Sequence, residues 1–249
     1  MTEHVIVADD GPIRLVRLNR PAKKNALTGD MYDALTAALD GAAAASDIRC
    51  VVLAGGPGAF CAGADLQDFR DAAQHDGLRP QAKRFLHCLA APEKPLVAAV
   101  QGIAVGIGTT MLLHCDYVVA SDDARFATPF VHLGLVPEAG SSLLGPRLMG
   151  TPRAFELLVM GRPFDAATAK SVGLVNAVIA ATEVEAEAMK AAREIAALPV
   201  EAVAISRRLI RGSSDEIARR IDEETEIYRT RLQSPEARAA FAAFFARKG

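Results

Sequence analysis

The chain has 249 residues, of which 51% are hydrophobic, so it is long enough to bury a sizeable core. Its formal net charge of -2 and its pI of about 6.2 give no reason to expect a nucleic-acid or membrane partner, and we expect neither. The four cysteines form no C-x-x-C pair, and no His/Cys cluster has zinc-ligand spacing, so we also expect no metal site.

The N-terminal segment MTEHVIVADD is too acidic, and its apolar run too short, for a signal peptide. The longest apolar stretches are interrupted by glycine, proline or charge before they reach the roughly 18 residues of a membrane-spanning helix. Isolated cysteines are typical of reduced thiols. We therefore expect a cytoplasmic protein.

The first half of the chain alternates strand-like with helical segments. Two strands flank a turn at residues 10–12, and Thr28 is placed to cap a helix that ends near Ala45. Buried strands are predicted where apolar runs occur, in CVVLA, LVAAV and DYVVAS. Apolar strands that alternate with helices predict an α/β fold with a parallel sheet covered on both faces.

Two glycine-rich segments each follow a strand and precede a predicted helix. The first covers residues 55–66, with a helix expected after Asp65, and the second covers residues 101–113. Glycine allows backbone amides to turn outward, and a helix N-terminus presents unpaired N–H donors. Purely structural turns are the alternative explanation. Neither segment is a P-loop or has dinucleotide-binding spacing.

Glu138 is an acidic residue in apolar surroundings, within the segment GLVPEAGSS. Burial would raise the pKa of its carboxyl group and suit it to proton transfer near neutral pH. The alternative is that Glu138 caps a helix predicted from Ala139 to Met149. We expect the nearby His114 to form structural hydrogen bonds.

The pattern changes near residue 198, after which only helical segments are predicted. These segments begin at proline or serine and are rich in charged residues. The expected organisation is therefore a core over residues 1–197 and a helical segment over residues 198–249.

Six motifs follow one another along the chain: NRPAKKNAL at 19–27, AFCAGADL at 59–66, the run at 101–121, GLVPEAGSS at 134–142, PRLMG at 146–150 and AKSVGLVNAVI at 169–179. Their order resembles that found in the crotonase (enoyl-CoA hydratase/isomerase) superfamily. The resemblance implies stacked ββα repeats with a C-terminal trimerisation segment, in a homotrimer or a dimer of trimers. It also implies an acyl-CoA thioester substrate whose coenzyme A is part of the substrate, with no separate cofactor.

The resemblance also assigns expected roles to residues of the two glycine-rich segments. Ala64 and Ile107 match the backbone amides of an oxyanion hole, where two N–H donors stabilise a thioester enolate. Lys24 and Ala62 match the region that approaches coenzyme A. Lys24 in a solvated turn is the alternative.

The proton-transferring residue decides which reaction the site favours. The positions that match the two glutamates of hydratases are Thr110 and Phe130, neither of which is a carboxylate, and we expect both to line the substrate pocket. Glu138 matches the single base of 3,2-trans-enoyl-CoA isomerases of the peroxisomal type. The expectation is an isomerase that moves a double bond from C3 to C2 through a dienolate. The alternatives are hydration or another reaction on a CoA thioester, and a non-catalytic acyl-CoA-binding protein.

Overall fold

The computed structural model describes residues 2–65 and 79–246. The strands are β1 (Val5–Asp10), β2 (Ile13–Leu18), β3 (Cys50–Ala54), β4 (Ala59–Cys61), β5 (Leu96–Val100), β6 (Ile103–Val105), β7 (Tyr117–Ser121), β8 (Arg125–Ala127), β9 (Phe164–Asp165) and β10 (Ala177–Ile179). The helices are α1 (Gly29–Ala44), α2 (Pro80–Ala90), α3 (Ile107–Thr110), α4 (Ser141–Leu158), α5 (Ala166–Ser171), α6 (Val184–Ala196), α7 (Val200–Arg211), α8 (Ser214–Leu232) and α9 (Pro235–Ala246). Short 3-10 helices cover Pro21–Lys23, Met111–His114, Val131–Leu133 and Ala181–Glu183.

The strands form two sheets that are built from a repeated unit. The larger sheet has the order β1-β2-β3-β5-β7-β10 and is parallel except for the β1–β2 hairpin. The smaller sheet has the order β4-β6-β8-β9, with β9 antiparallel to β8. Successive strand pairs β3–β4, β5–β6 and β7–β8 each place one strand in either sheet. This arrangement is the expected stack of repeats.

Apolar side chains cover both faces of the larger sheet, which explains why β3 and β5 are buried along their whole length. On one face, α1 and α2 contribute to the main core cluster. On the other face, α6 packs its alanine-rich stripe against β3, β5 and β7. The expected α/β fold is therefore confirmed.

Several local predictions are also confirmed. The hairpin turns at Gly11, which adopts a φ of 56°, and the side chain of Thr28 accepts a hydrogen bond from the amide of Met31 at the start of α1. The helix predicted from Ala139 begins two residues later, at Ser141. It continues past a break at Gly150 to Leu158.

Residue patterns alone do not predict the smaller sheet. Residues 103–105 were expected to form part of a glycine-rich turn, whereas they form β6 and pair with β4 and β8. These strands contain only three residues each, too few for an alternating pattern to be recognised.

The C-terminal segment is helical, as expected. In α8, five residues at helical spacing face inward: Ile217, Ile221, Glu224, Tyr228 and Leu232. Two of them, Ile217 and Ile221, belong to the main core cluster, so α8 shares its core with the preceding repeats. Within the described residues, no helix is both long and apolar enough to cross a membrane.

Candidate active site

The amide of Ala64 points away from the chain that holds it in place. Leu27 and Ala64 form an isolated parallel bridge, in which the Leu27 amide donates to the Gly63 carbonyl and the Asp65 amide donates to the Leu27 carbonyl, both at 2.8 Å. In a parallel bridge, one residue makes both hydrogen bonds, here Leu27. The N–H of the other residue, here Ala64, faces away from it. Gly63 adopts a φ of 96°, a conformation that favours glycine.

The amide of Ile107 is the first of the short helix α3. A helix leaves its first N–H groups without an intrahelical acceptor. Gly106 precedes it with a φ of 55° and a ψ of -122°, and a Cβ atom on Gly108 would lie only 2.5 Å from the Cys61 carbonyl oxygen. The Ile107 side chain is buried in the main core. Ile107 therefore directs its side chain into the core, and its amide remains available to a ligand.

The two glycine-rich turns meet beside an aromatic ring. A Cβ atom on Gly106 would lie 3.9 Å from the Cα of Gly63 and 3.9 Å from Cε1 of Phe130, and one on Gly63 would lie 3.1 Å from the Val105 carbonyl oxygen. Phe130 is 6% exposed and packs in an apolar cluster. The structure therefore brings the Ala64 and Ile107 segments together and places Phe130 against them.

The carboxyl group of Glu138 is bound by a residue one helical turn from Ile107. The Thr110 hydroxyl, in the same short helix as Ile107, donates to Glu138 Oε1 at 2.5 Å. Glu138 is only 7% exposed, and burial raises the pKa of its carboxyl group to about 8, opposed by the Thr110 hydrogen bond. A carboxylate with this proton affinity is a strong general base near neutral pH.

Glu138 does not cap α4, which removes the structural explanation considered for it. Gly140 is the N-cap of α4, so Glu138 lies two residues outside the helix cap. The helix amides bind Glu224 of α8 instead: Oε2 accepts from the Gly140 amide at 2.6 Å, and Oε1 accepts from the Ser142 amide at 2.9 Å. The Ser142 hydroxyl also donates to Oε1, at 2.5 Å.

His114 also binds the turn that follows Glu138. Its Nε2–H donates to the carbonyl oxygen of Ala139 at 2.7 Å, because that oxygen can only accept. Burial lowers the pKa of His114 to about 4, so its ring is neutral near pH 7. The expected structural role of His114 is consistent with this contact.

The two residues expected near coenzyme A are in direct contact. The amide of Ala62 donates to the carbonyl oxygen of Lys24 at 2.9 Å, and Lys24 is exposed with a φ of 50°. The neighbouring Arg20 forms an ion pair with Asp65. The turn at 20–25 is therefore fixed against the first glycine-rich segment. The helix expected after Asp65 lies outside the described residues.

The described residues contain no group of three or more His, Cys, Asp or Glu side chains that is arranged to hold a metal ion. The site as described consists of two backbone donors, one buried carboxyl group and apolar walls. Such an arrangement can stabilise an oxyanion and move a proton beside it.

Comparison with known proteins matches residues 9–248 to the family profile described as enoyl-CoA hydratase/isomerase. The chain belongs to this family. It is 32% identical over 247 residues to a Rhizobium meliloti protein described as a probable enoyl-CoA hydratase, covering 99% of this chain and 96% of that protein.

Two further proteins that are similar to this chain have different names. The chain is 36% identical over 252 residues to rat enoyl-CoA delta isomerase 2, covering 98% of this chain and 64% of the rat protein. It is 43% identical to the solved structure of Pseudomonas aeruginosa OdaA, with a TM-score of 0.93 and coverage of 98% and 99%. The activity is therefore of the enoyl-CoA hydratase/isomerase type.

Sequence reasoning about this enoyl-CoA hydratase/isomerase missed Glu224. Its partners lie more than eighty positions away, and α8 is so rich in charge that a glutamate there resembles a solvated residue. One signal was present: Glu224 falls at helical spacing between Ile221 and Tyr228, on the apolar stripe. An acidic residue on such a stripe predicts a buried partner.

Proposed function

We propose that the chain is an isomerase that converts a 3-enoyl-CoA to the conjugated 2-enoyl-CoA. The observation that carries the proposal is the buried carboxyl group of Glu138, held by Thr110 one helical turn from the amide of Ile107. The 36% identity to a protein named enoyl-CoA delta isomerase 2 supports the same assignment.

The mechanism uses one base on one face of the substrate. The thioester oxygen accepts hydrogen bonds from the amides of Ala64 and Ile107. The Glu138 carboxylate removes a proton from C2, and the negative charge spreads over a dienolate whose oxygen is stabilised by the two donors. The protonated Glu138 then returns the proton at C4, which leaves the double bond between C2 and C3.

Hydration is the second candidate, since another relative is described as a probable hydratase. Two features of the site disfavour it. By the family resemblance, Thr110 and Phe130 match the two hydratase glutamates, and neither is a carboxylate. Phe130 is buried in an apolar cluster, which leaves little for water to bind. The other nearby carboxylate, Glu224, already accepts bonds from Gly140 and Ser142 and is not free to orient water.

A non-catalytic acyl-CoA-binding protein is the third candidate. A protein that only binds has no need of a buried carboxyl group, because burial raises the free energy of the charged form. Glu138 is buried nonetheless, and the hydroxyl of Thr110 donates a hydrogen bond to it. This arrangement supports turnover.

We also propose that the protein assembles as a homotrimer or a dimer of trimers through its C-terminal helices. Leu209 and Ile210 of α7 are 78% and 85% exposed, which is unusual for two adjacent large apolar side chains. A groove of about 860 Å³ lies beside α7 and is lined mainly by apolar residues, including Leu113, Leu144, Leu198 and Val203. A second copy covering this surface would bury it.

We also propose a cytoplasmic location, which the four free thiols support.

The decisive experiment compares the wild-type protein with Glu138→Gln in two assays, isomerisation of 3-enoyl-CoA and hydration of 2-enoyl-CoA. We expect isomerisation to fall at least about 10²–10⁴-fold, because general base catalysis is lost while the amide keeps the size of the side chain. Glu156→Gln, whose side chain pairs with Arg153 at the surface of α4, serves as the matched control and should retain activity. Fast hydration that does not depend on Glu138 would overturn the proposal.

An isotope experiment tests whether one base serves both carbons. Substrate deuterated at C2 should give product that carries part of the label at C4. The reason is that Glu138 is only 7% exposed, so it returns the deuteron before solvent replaces it. Complete loss of label to solvent, with C4 protonated only from water, would favour two separate proton-transfer groups.

A further inference from the structure

The turn that carries Glu138 into the site has an unfavourable backbone conformation. Ala139 and Gly140 adopt φ values of 61° and 69°, and a left-handed alanine is strained because its Cβ crowds the following carbonyl group. Such a conformation persists only where the surroundings fix it. Here the surroundings are His114, which binds the Ala139 carbonyl, and Glu224, which binds the amides on either side of Ser141.

Glu224 supplies the capping group that α4 lacks in its own sequence. The N-cap residue, Gly140, has no side chain, and no side-chain cap bond comes from it. Glu224 is 5% exposed and reaches this helix end from α8, where its two oxygens take three hydrogen bonds. A negative charge at a helix N-terminus is favourable, because the amide dipoles point toward it.

The position of Glu224 keeps the first amides of α4 away from the carboxylate of Glu138. The dipole end of a helix would stabilise the ionised form of any carboxylate that capped it and would weaken that carboxylate as a base. Glu138 instead has a single hydrogen-bond donor in the described structure, the hydroxyl of Thr110. Two glutamates thus divide the work: one binds the helix end, and the other remains available to substrate.

We propose that Glu224 is a positioning residue for Glu138, which fixes the strained turn and occupies the helix N-terminus so that the Glu138 carboxyl group stays clear of the helix amides. This inference rests on the proposed isomerase function for its catalytic consequence, although the effect on Glu138 itself does not require turnover.

The charges around Glu138 support this division. The negative charge of Glu224 raises the pKa of Glu138, in addition to the larger effect of burial. Burial also raises the pKa of Glu224, but its three donors and the nearby Arg220 oppose that rise. We infer that Glu224 ionises first, since it has three donors where Glu138 has one.

Among the residues that the structure describes, the other titratable groups around Glu138 are neutral near pH 7. Tyr228, on α8, lies close enough for Glu138 to add to the effect of burial, and both raise its pKa above the ordinary phenol value. Burial raises the pKa of the Cys61 thiol, on β4, to about 12. His114 is neutral because burial lowers its pKa to about 4. Glu224 is therefore the charge within this group that is positioned to act on Glu138.

The test is the pH dependence of kcat/KM for isomerisation in Glu224→Gln and Glu224→Asp. Removing the charge should lower the pKa of Glu138, so the acid limb should move to lower pH by about half a unit or more, equivalent to about a threefold rise at pH 6 relative to the plateau. Glu224→Asp keeps the negative charge on a shorter side chain, so the acid limb of kcat/KM should stay at the same pH while kcat falls. Glu216→Gln, which removes a surface ion pair with Arg147 from the same helix, should leave both unchanged.

A second measurement separates failure of this inference from failure of the proposed function. Thermal unfolding is followed against pH with and without the Glu138→Gln change, first in the wild-type protein and then in a protein that already carries Glu224→Gln. The difference within each pair reports the ionisation of Glu138 without any substrate.

A shift of that difference to lower pH in the pair that carries Glu224→Gln would support the inference even if the reaction were not isomerisation. An acid limb and a stability profile that are identical with and without the charge of Glu224 would overturn it.

Discussion

The buried carboxyl group of Glu138 should make the folded protein less stable as the pH rises. The pKa of this group is raised from 4.5 to about 8 in the folded chain, whereas in the unfolded chain it returns to its ordinary value. Between these two values, the folded state holds a proton that the unfolded state has lost. Its contribution to stability is therefore fully present below about pH 4.5 and is lost as the pH rises to about 8.

Replacing Glu138 with Gln removes this titration and keeps the shape of the side chain. One pKa unit corresponds to about 1.4 kcal/mol, so the wild-type protein should lose about 2 kcal/mol relative to Glu138→Gln between pH 6 and pH 8. For a chain of this length that difference is roughly 4–8 °C in Tm. Relative to the wild-type protein, Glu138→Gln should therefore become more stable as the pH rises, although its activity is lower.

The assay is thermal unfolding of both proteins at one protein concentration, at intervals from pH 5 to pH 9. The signal is the change in the difference between the two Tm values, because the other titrating groups are present in both proteins. A fixed difference due to the amide itself is also removed in this way. A Tm difference that is constant from pH 6 to pH 9 would refute the reasoning, since Glu138 would then be ionised throughout that range.

The site and the surface give three further predictions. Thr110→Val removes the hydroxyl that stabilises the Glu138 carboxylate, so the acid limb of kcat/KM should move to higher pH, measured in the same titration as for the wild-type enzyme. Gly108→Ala should lower Tm and should also lower kcat/KM by at least about tenfold, because its Cβ would lie 2.5 Å from a backbone carbonyl oxygen; Gly56→Ala, which has open space around it, should change neither. Ile210→Glu should reduce the mass measured by light scattering from that of a trimer toward that of a monomer, and an unchanged mass would exclude α7 from the interface.

The parts of the fold that depend on local chemistry can be predicted from the sequence. Thr28 is recognisable as a helix cap from residue type alone, and the strands around Val52 and Ala98 are recognisable from continuous apolar runs. The strands β4, β6 and β8 carry no such signal, because each is defined by pairing with a three-residue partner distant in the chain. Family resemblance supplies the double-strand repeat that residue patterns cannot.

The candidate site divides in the same manner. Ala64, Ile107 and Glu138 can be located by motif, since each lies within a short segment whose order is characteristic of the family. The pattern cannot decide whether Glu138 is a helix cap, because that depends on which carboxylate reaches the amides of α4. That carboxylate is Glu224, which lies in the segment that the resemblance implies to be a trimerisation segment.

The order in which the two glycine-rich turns, Glu138 and α8 are synthesised determines when the candidate site is complete. Both glycine-rich turns and Glu138 emerge well before α8, so a nascent chain holds the reacting groups while Ala139 and Gly140 still lack the glutamate that fixes them. The turn that carries Glu138 can therefore be fixed only after α8 has folded, so the candidate site is completed late in synthesis.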